Sequence, residues 1–188
     1  MFNQIKKRIL KKKEKGFTLV ETLIAISILM ISVAAPLSLA AKGIQAANLA
    51  KQQIVAYYLA QDAYEVIKNI TDTNKLAAKT YAEGGIIAGD LNNICVSNNC
   101  RIDTLTGKIE MFTPGQKIKY SDSMNVYGFD PAGALSYLDT IYSRYFKIIK
   151  TKDTGVSIDE IKVLITMEWN IPYIGLQSYT LEGHITNW

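Results

Sequence analysis

Residues 17–41 read FTLVETLIAISILMISVAAPLSLAA, and Glu21 is the one charged side chain among them. From Thr22 to Ala41 the run is 20 uncharged residues. At ~1.5 Å of rise per residue that makes a helix of roughly 30 Å, the thickness of a bilayer's hydrocarbon core. One transmembrane helix over 17–41 is the expectation. Directly before it stand Lys6, Lys7, Arg8, Lys11, Lys12, Lys13 and Lys15 against Glu14 alone. Basic flanks stay cytoplasmic, so the span is oriented with residues 42–188 exported.

A basic start followed by an apolar run is also how a cleavable secretory signal begins, and Ala34-Ala35 and Ala40-Ala41 offer small residues for a cut. Two features oppose that reading. The apolar run is longer than a typical signal core, and Glu21 sits near its start. A plain anchor has no use for that acid either, because a carboxylate near the bilayer centre costs about 2.5–3.5 kcal/mol on insertion scales. An acid inside a span is a functional-site expectation by default.

The string Lys15-Gly16-Phe17-Thr18-Leu19-Val20-Glu21, with a basic leader before it and a spanning helix after it, resembles the class III signal of type IV pilins and type II secretion pseudopilins. The resemblance implies cleavage between Gly16 and Phe17 by a prepilin peptidase on the cytoplasmic side, followed by methylation of Phe17 by the same enzyme. It implies further partners: other pilin subunits of a filament, an inner-membrane assembly platform, and membrane lipid before assembly. Elementary chemistry agrees with these roles. Gly16 has no Cβ, so an extended peptide can lie close to a protease backbone there. A new amine at the start of a helix opposes the helix dipole, whereas Glu21 in the opening turns favours it. Where amine and carboxylate of adjacent subunits meet in lipid, each offsets the other's burial cost and sets the axial register. Pro36 removes the hydrogen bond to the Ser32 carbonyl, which reads either as a helix kink with a filament role or as an ordinary tolerated proline.

Residues 42–74 continue helically, with Ile44, Ala47, Val55, Leu59, Ala63, Val66 and Ile70 at spacings compatible with one apolar face. Lys51, Gln52, Gln61, Asp62, Glu65 and Lys68 supply the polar positions, and Thr71–Asn74 reads as the end. One helix over 17–70 would be roughly 80 Å long. The stretch from Ala60 to Ile70 resembles the post-membrane helix of minor pilins of the type IV pilus modification kind.

Residues 75–188 read as an extracytoplasmic head. Turn signals stand at Glu83-Gly84-Gly85, Thr106-Gly107, Pro114-Gly115 and Asp130-Pro131. Strands over Asn93–Ile102 and Lys108–Phe112 are expected to form a hairpin about Asp103–Gly107. Cys95 and Cys100 flank Val-Ser-Asn-Asn in a segment placed outside the cytoplasm, which favours a disulfide over a metal site, since no further ligand is nearby. In Asp159–Ile171, Ile161, Val163, Ile165, Met167 and Trp169 alternate with polar residues, broken by Leu164. That is an antiparallel strand buried on one face. Tyr142–Thr151 and Gln177–Trp188 bracket it as a three-strand meander, reached through 152–157 and 172–176. Arg144, Lys147, Lys150 and Lys152 are expected on a solvated face, and His184 on the surface.

The whole chain of 188 residues carries a net charge of +4, with 21 basic and 17 acidic residues. Residues 1–16 hold a net +6 and the remainder a net −2, so the body shows no basic nucleic-acid surface and no nucleic-acid partner is expected. One histidine and two cysteines leave no Cys-His nucleophile pair and no zinc set; no catalytic residue, metal or cofactor is expected. The expected fold is α+β and pilin-like: a leader over 1–16, a long helix that is transmembrane then amphipathic, and a small antiparallel sheet packed on it. The expected function is a structural filament subunit, a minor pilin or pseudopilin. The alternative is a membrane-anchored binding module or adhesin that keeps residues 1–16.

Overall fold

The computed structural model describes residues 16–80, 83, 85–129, 137–155, 157–172 and 174–187. Residues 1–15 of the leader, the Asp130-Pro131 turn, Gly84 of the Glu83-Gly84-Gly85 turn, one residue in each expected meander connection (156 and 173) and Trp188 lie outside the described residues. The chain divides into two compact units, Met1–Leu49 and Ala50–Trp188.

The described part of the first unit is helical from Leu19, where α1 (Leu19–Leu76) begins. Every residue from 16 to 48 is exposed, including Leu23, Ile26, Met30, Val33 and Leu37. A helix that is apolar on all sides belongs in lipid or among other apolar helices. α1 is long and apolar enough to cross a membrane.

The second unit packs the later turns of α1 on a five-stranded antiparallel sheet. After a 3₁₀ turn at Gly85–Ile87 and α2 (Asp90–Asn93) come β1 (Cys100–Ile102), β2 (Ile109–Met111), β3 (Lys119–Ser121), β4 (Val126–Gly128), β5 (Leu138–Asp139), β6 (Tyr142–Asp153), β7 (Ile158–Ile171) and β8 (Gly175–Thr186). The main sheet runs β2-β1-β6-β7-β8, and β4-β3-β5 form a second, three-stranded one. The expected meander is therefore present as β6-β7-β8, with both neighbouring pairs antiparallel.

β7 folds as its alternation dictates. Ile161, Val163, Ile165, Met167 and Trp169 are all buried, while Leu164 lies in register with Lys147 and Glu182 on the opposite face. Burying five such side chains stabilises the head by about 1.5–3 kcal/mol each before conformational entropy is subtracted.

The helix meets the sheet through Ala56, Leu59, Ala60, Ala63, Ile67 and Thr71. Val55, Val66 and Ile70 only flank this stripe, half-buried, and Ile44 and Ala47 are exposed. Leu59 and Ala63 belong to the expected face and to the observed one alike. The observed one uses alanines, which let the helix backbone come close. Close approach decides Gly183 as well: a Cβ built there would lie 2.1 Å from Cε2 of the Tyr64 ring. Helix α1 also outruns its expected stop, since Thr71 and Thr73 donate their hydroxyls to the carbonyls of Lys68 and Asn69.

The hairpin of β1 and β2 is present, with Ile102 opposite Ile109. The first strand is much shorter than expected, however, because 90–99 form α2 and turns. The disulfide explains the difference. Cys95 and Cys100 are bonded with their Cα atoms 5.4 Å apart, whereas five extended steps would separate them by roughly 16 Å.

Candidate functional site

The start of α1 is built from the string that carries the signal. Thr18 precedes the first helical residue, its carbonyl accepts the N–H of Thr22 at 3.2 Å, and its Oγ1 accepts the N–H of Glu21 at 3.3 Å. Thr18 is thus the N-cap and Glu21 the third helical residue, the positions that a Thr-x-x-Glu capping box occupies. The backbone N–H of Glu21, not its carboxylate, completes the cap. That Thr-x-x-Glu pattern is legible in Thr18-Leu19-Val20-Glu21 as the signal for the helix start. Gly16, just outside the helix, has open space where a Cβ would point.

Within the apolar segment three hydroxyls bond to carbonyls of their own helix. Thr22 donates to the carbonyl of Leu19, Ser27 to that of Leu23 and Ser38 to that of Ala35, each at 2.8 Å. A polar group in hydrocarbon needs a partner within its own segment, and these have one. Pro36 lies inside helix α1, which runs on past it.

In the head, Arg144 overturns the expectation of a solvated basic face. It is 1% exposed. Its Nη1 donates to the Leu59 carbonyl at 2.7 Å and its Nη2 to the Ile102 carbonyl at 2.9 Å, with Asp62 Oδ2 3.6 Å away. Burial lowers its pKa to about 10 against the opposing pull of Asp62, so it stays charged at neutral pH. Its strand parity, shared with Tyr142, Phe146 and Ile148, was the signal that places it in the core. Lys147 and Lys150 are half-buried and Lys152 is exposed.

His184 is on the surface, with Nδ1 2.8 Å from Glu160 and Nε2 3.4 Å from Glu182. Its pKa is raised, first by Glu160 and then by Glu182. Among the described residues no three His, Cys, Asp or Glu side chains are grouped so as to hold a metal ion. Gly16, Phe17 and Glu21 lie together at the helix start, while Pro36 stands further along the same unit and Cys95 and Cys100 are joined in the head.

No curated protein and no solved structure is significantly similar to this chain. Residues 11–35 match the family model described as the prokaryotic N-terminal methylation motif, so the chain carries a type IV pilin-like class III signal at the head of a helix that can anchor it in a membrane.

Proposed function

We propose that the protein is a structural subunit, a minor pilin or pseudopilin, of a type IV pilus or type II secretion-like filament. The observation that carries this is the methylation-motif match over residues 11–35 on a helix that is exposed through residue 48 and uncharged from Thr22 to Ala41. In this reading the chain starts as a single-pass inner-membrane protein with its N-terminus cytoplasmic. A prepilin peptidase and methyltransferase cuts between Gly16 and Phe17 and methylates Phe17. The apolar segment then passes from lipid to the apolar segments of neighbouring subunits through the inner-membrane assembly platform. Glu21 pairs with a neighbour's Phe17 amine, Pro36 supplies a point of flexure, and the head does no chemistry of its own.

Peptide mass spectrometry of protein taken from membranes or sheared filaments tests the processing. The expected mature N-terminus is Phe17 with one added methyl. A chain beginning after Ala41, or an intact Met1 end in assembled material, contradicts the reading.

A further inference from the structure

Three segments of the head enclose a cleft of about 430 Å³. The disulfide loop brings Asn98 and Asn99, the segment after β2 brings Phe112, and the outer face of the sheet brings Tyr145 and Glu168, with Met111 at the rim. Each wall is fastened. The Cys95–Cys100 bond closes the loop, and the Asn98 amide nitrogen donates to the Ile94 carbonyl at 3.2 Å. The Phe112 N–H donates to the Asn99 carbonyl at 2.9 Å, tying two walls together. The turn after Phe112 is held where the Thr113 N–H donates to Gln116 Oε1 at 3.1 Å and where Ser143 Oγ donates to the Gln116 carbonyl at 2.7 Å. The cleft exists before any ligand arrives, which lowers the ordering cost of binding.

Its chemistry has one sign. Glu168 is the one charged side chain among those lining it, and among the described residues no lysine, arginine or histidine lies within ion-pair distance of that carboxylate. Tyr145 donates its hydroxyl to Glu168 Oε1 at 2.9 Å, which fixes the carboxylate and leaves Oε2 as an acceptor. The Tyr145 ring packs on Phe112 with centroids 4.8 Å apart. Ring faces are negative, so rings beside a carboxylate repel an anion and attract a cation. Asn98, its amide nitrogen engaged, offers Oδ1 as a further acceptor.

We infer that this cleft is a recognition site for a lysine or arginine side chain presented by a partner polypeptide. A neutral, hydroxyl-rich ligand would satisfy the amides and leave the Glu168 charge uncompensated. A cation satisfies the carboxylate, the ring faces and the carboxamide oxygen together. The inference uses the head alone and holds whether or not the chain enters a filament.

Met111 provides the readout, since it lines the cleft and is 58% exposed. Full-length protein in uncharged detergent, labelled with ¹³C at the methionine methyl groups, is titrated with Nα-acetylarginine methylamide, with its neutral isostere Nα-acetylcitrulline methylamide, and with methyl glucoside. Met111→Leu assigns the signal. Arginine is expected to shift the Met111 methyl saturably, with citrulline about fivefold or more weaker and added salt reducing the difference. Glu168→Gln keeps an acceptor for Tyr145 and is expected to abolish the arginine preference. Phe112→Leu is expected to weaken arginine binding while Glu168 remains. Equal shifts with citrulline, a saturable shift with the glucoside and none with arginine, or no saturable shift at all would overturn the assignment.

Discussion

The guanidinium of Arg144 in β6 donates to the main-chain carbonyl of Leu59 in α1 at 2.7 Å. A carbonyl oxygen has two lone pairs, so Leu59 keeps its place in the helical ladder while receiving the strand's cation. The second fork of the same group holds the Ile102 carbonyl of β1. One side chain thus joins helix and hairpin.

Arg144→Met is therefore expected to destabilise the head by about 3 kcal/mol, because it removes two charge-assisted hydrogen bonds and leaves a mismatched space. Asp62→Asn is expected to cost less than about 1 kcal/mol, since the Asp62 side chain is 49% exposed and its ion pair is screened. Denaturant titration of both variants checks the order. Equal losses would mean that the ion pair dominates and that the carbonyl contacts matter little.

The contact between Gly183 and Tyr64 gives a sharper test. Gly183→Val forces a methyl-bearing Cβ into the ring, with an expected loss of about 1–3 kcal/mol. Tyr64→Ala should recover part of that loss in the double variant, although Tyr64 also donates to the His184 carbonyl at 3.2 Å. Strictly additive losses would show that the two positions are uncoupled.

The surface pair of acids around His184 makes stability depend on pH in one direction. The folded-state pKa of His184 is raised, so the folded form holds its proton more tightly. That contribution is fully present below the unfolded value of 6.5 and is lost as pH rises through the folded value. Thermal melts between about pH 5 and 8 should therefore decline slightly at the upper end, and His184→Gln should flatten the profile. A wild-type profile no steeper than that of His184→Gln would remove the acids from the account.

The disulfide closes a short loop, and its removal is expected to cost only about 2 kcal/mol by loop entropy. Its local effect is larger, because the Cys95 carbonyl accepts the N–H of Ile148 at 3.0 Å and so fastens the loop to β6. A Cys95→Ser, Cys100→Ser double variant should fold, with faster amide exchange at Ile148. Unchanged exchange there would separate the bridge from the strand. Thiol labelling should modify neither cysteine until reduction.

What the sequence made legible was whatever repeats with a short period. The alternation in β7 and the apolar run after Glu21 each report a burial environment residue by residue. The helix face is legible in part: Leu59 and Ala63 are buried as their spacing implies, whereas Val55 and Val66 stand half-buried beside Ala56 and Ala60. Packing buries the small ones, Ala56 and Ala60, completely. Arg144 was hidden by its charge, which masks the parity it shares with Phe146. The cleft was invisible because Asn98, Phe112, Tyr145 and Glu168 converge only through sheet order and a disulfide turn.

The capping geometry at Glu21 separates two roles that the sequence alone leaves merged. The Thr18 hydroxyl receives the N–H of Glu21, a backbone group that any residue but proline supplies. Glu21→Val therefore keeps the cap and loses only the carboxylate, while Thr18→Ala keeps the carboxylate and loses the cap, at about 1 kcal/mol of helix stability. With the proposed filament role, Glu21→Val should be inserted and processed normally, because the span becomes more apolar, but should fail to enter filaments or to crosslink with neighbouring pilins. Glu21→Gln should fail likewise, since it preserves shape without charge and leaves a neighbour's amine unpaired in an apolar setting. Thr18→Ala should assemble at near the normal level. If Glu21→Val and Glu21→Gln assemble like the unmodified protein while Thr18→Ala does not, assembly depends on the Thr18 cap and not on the Glu21 carboxylate.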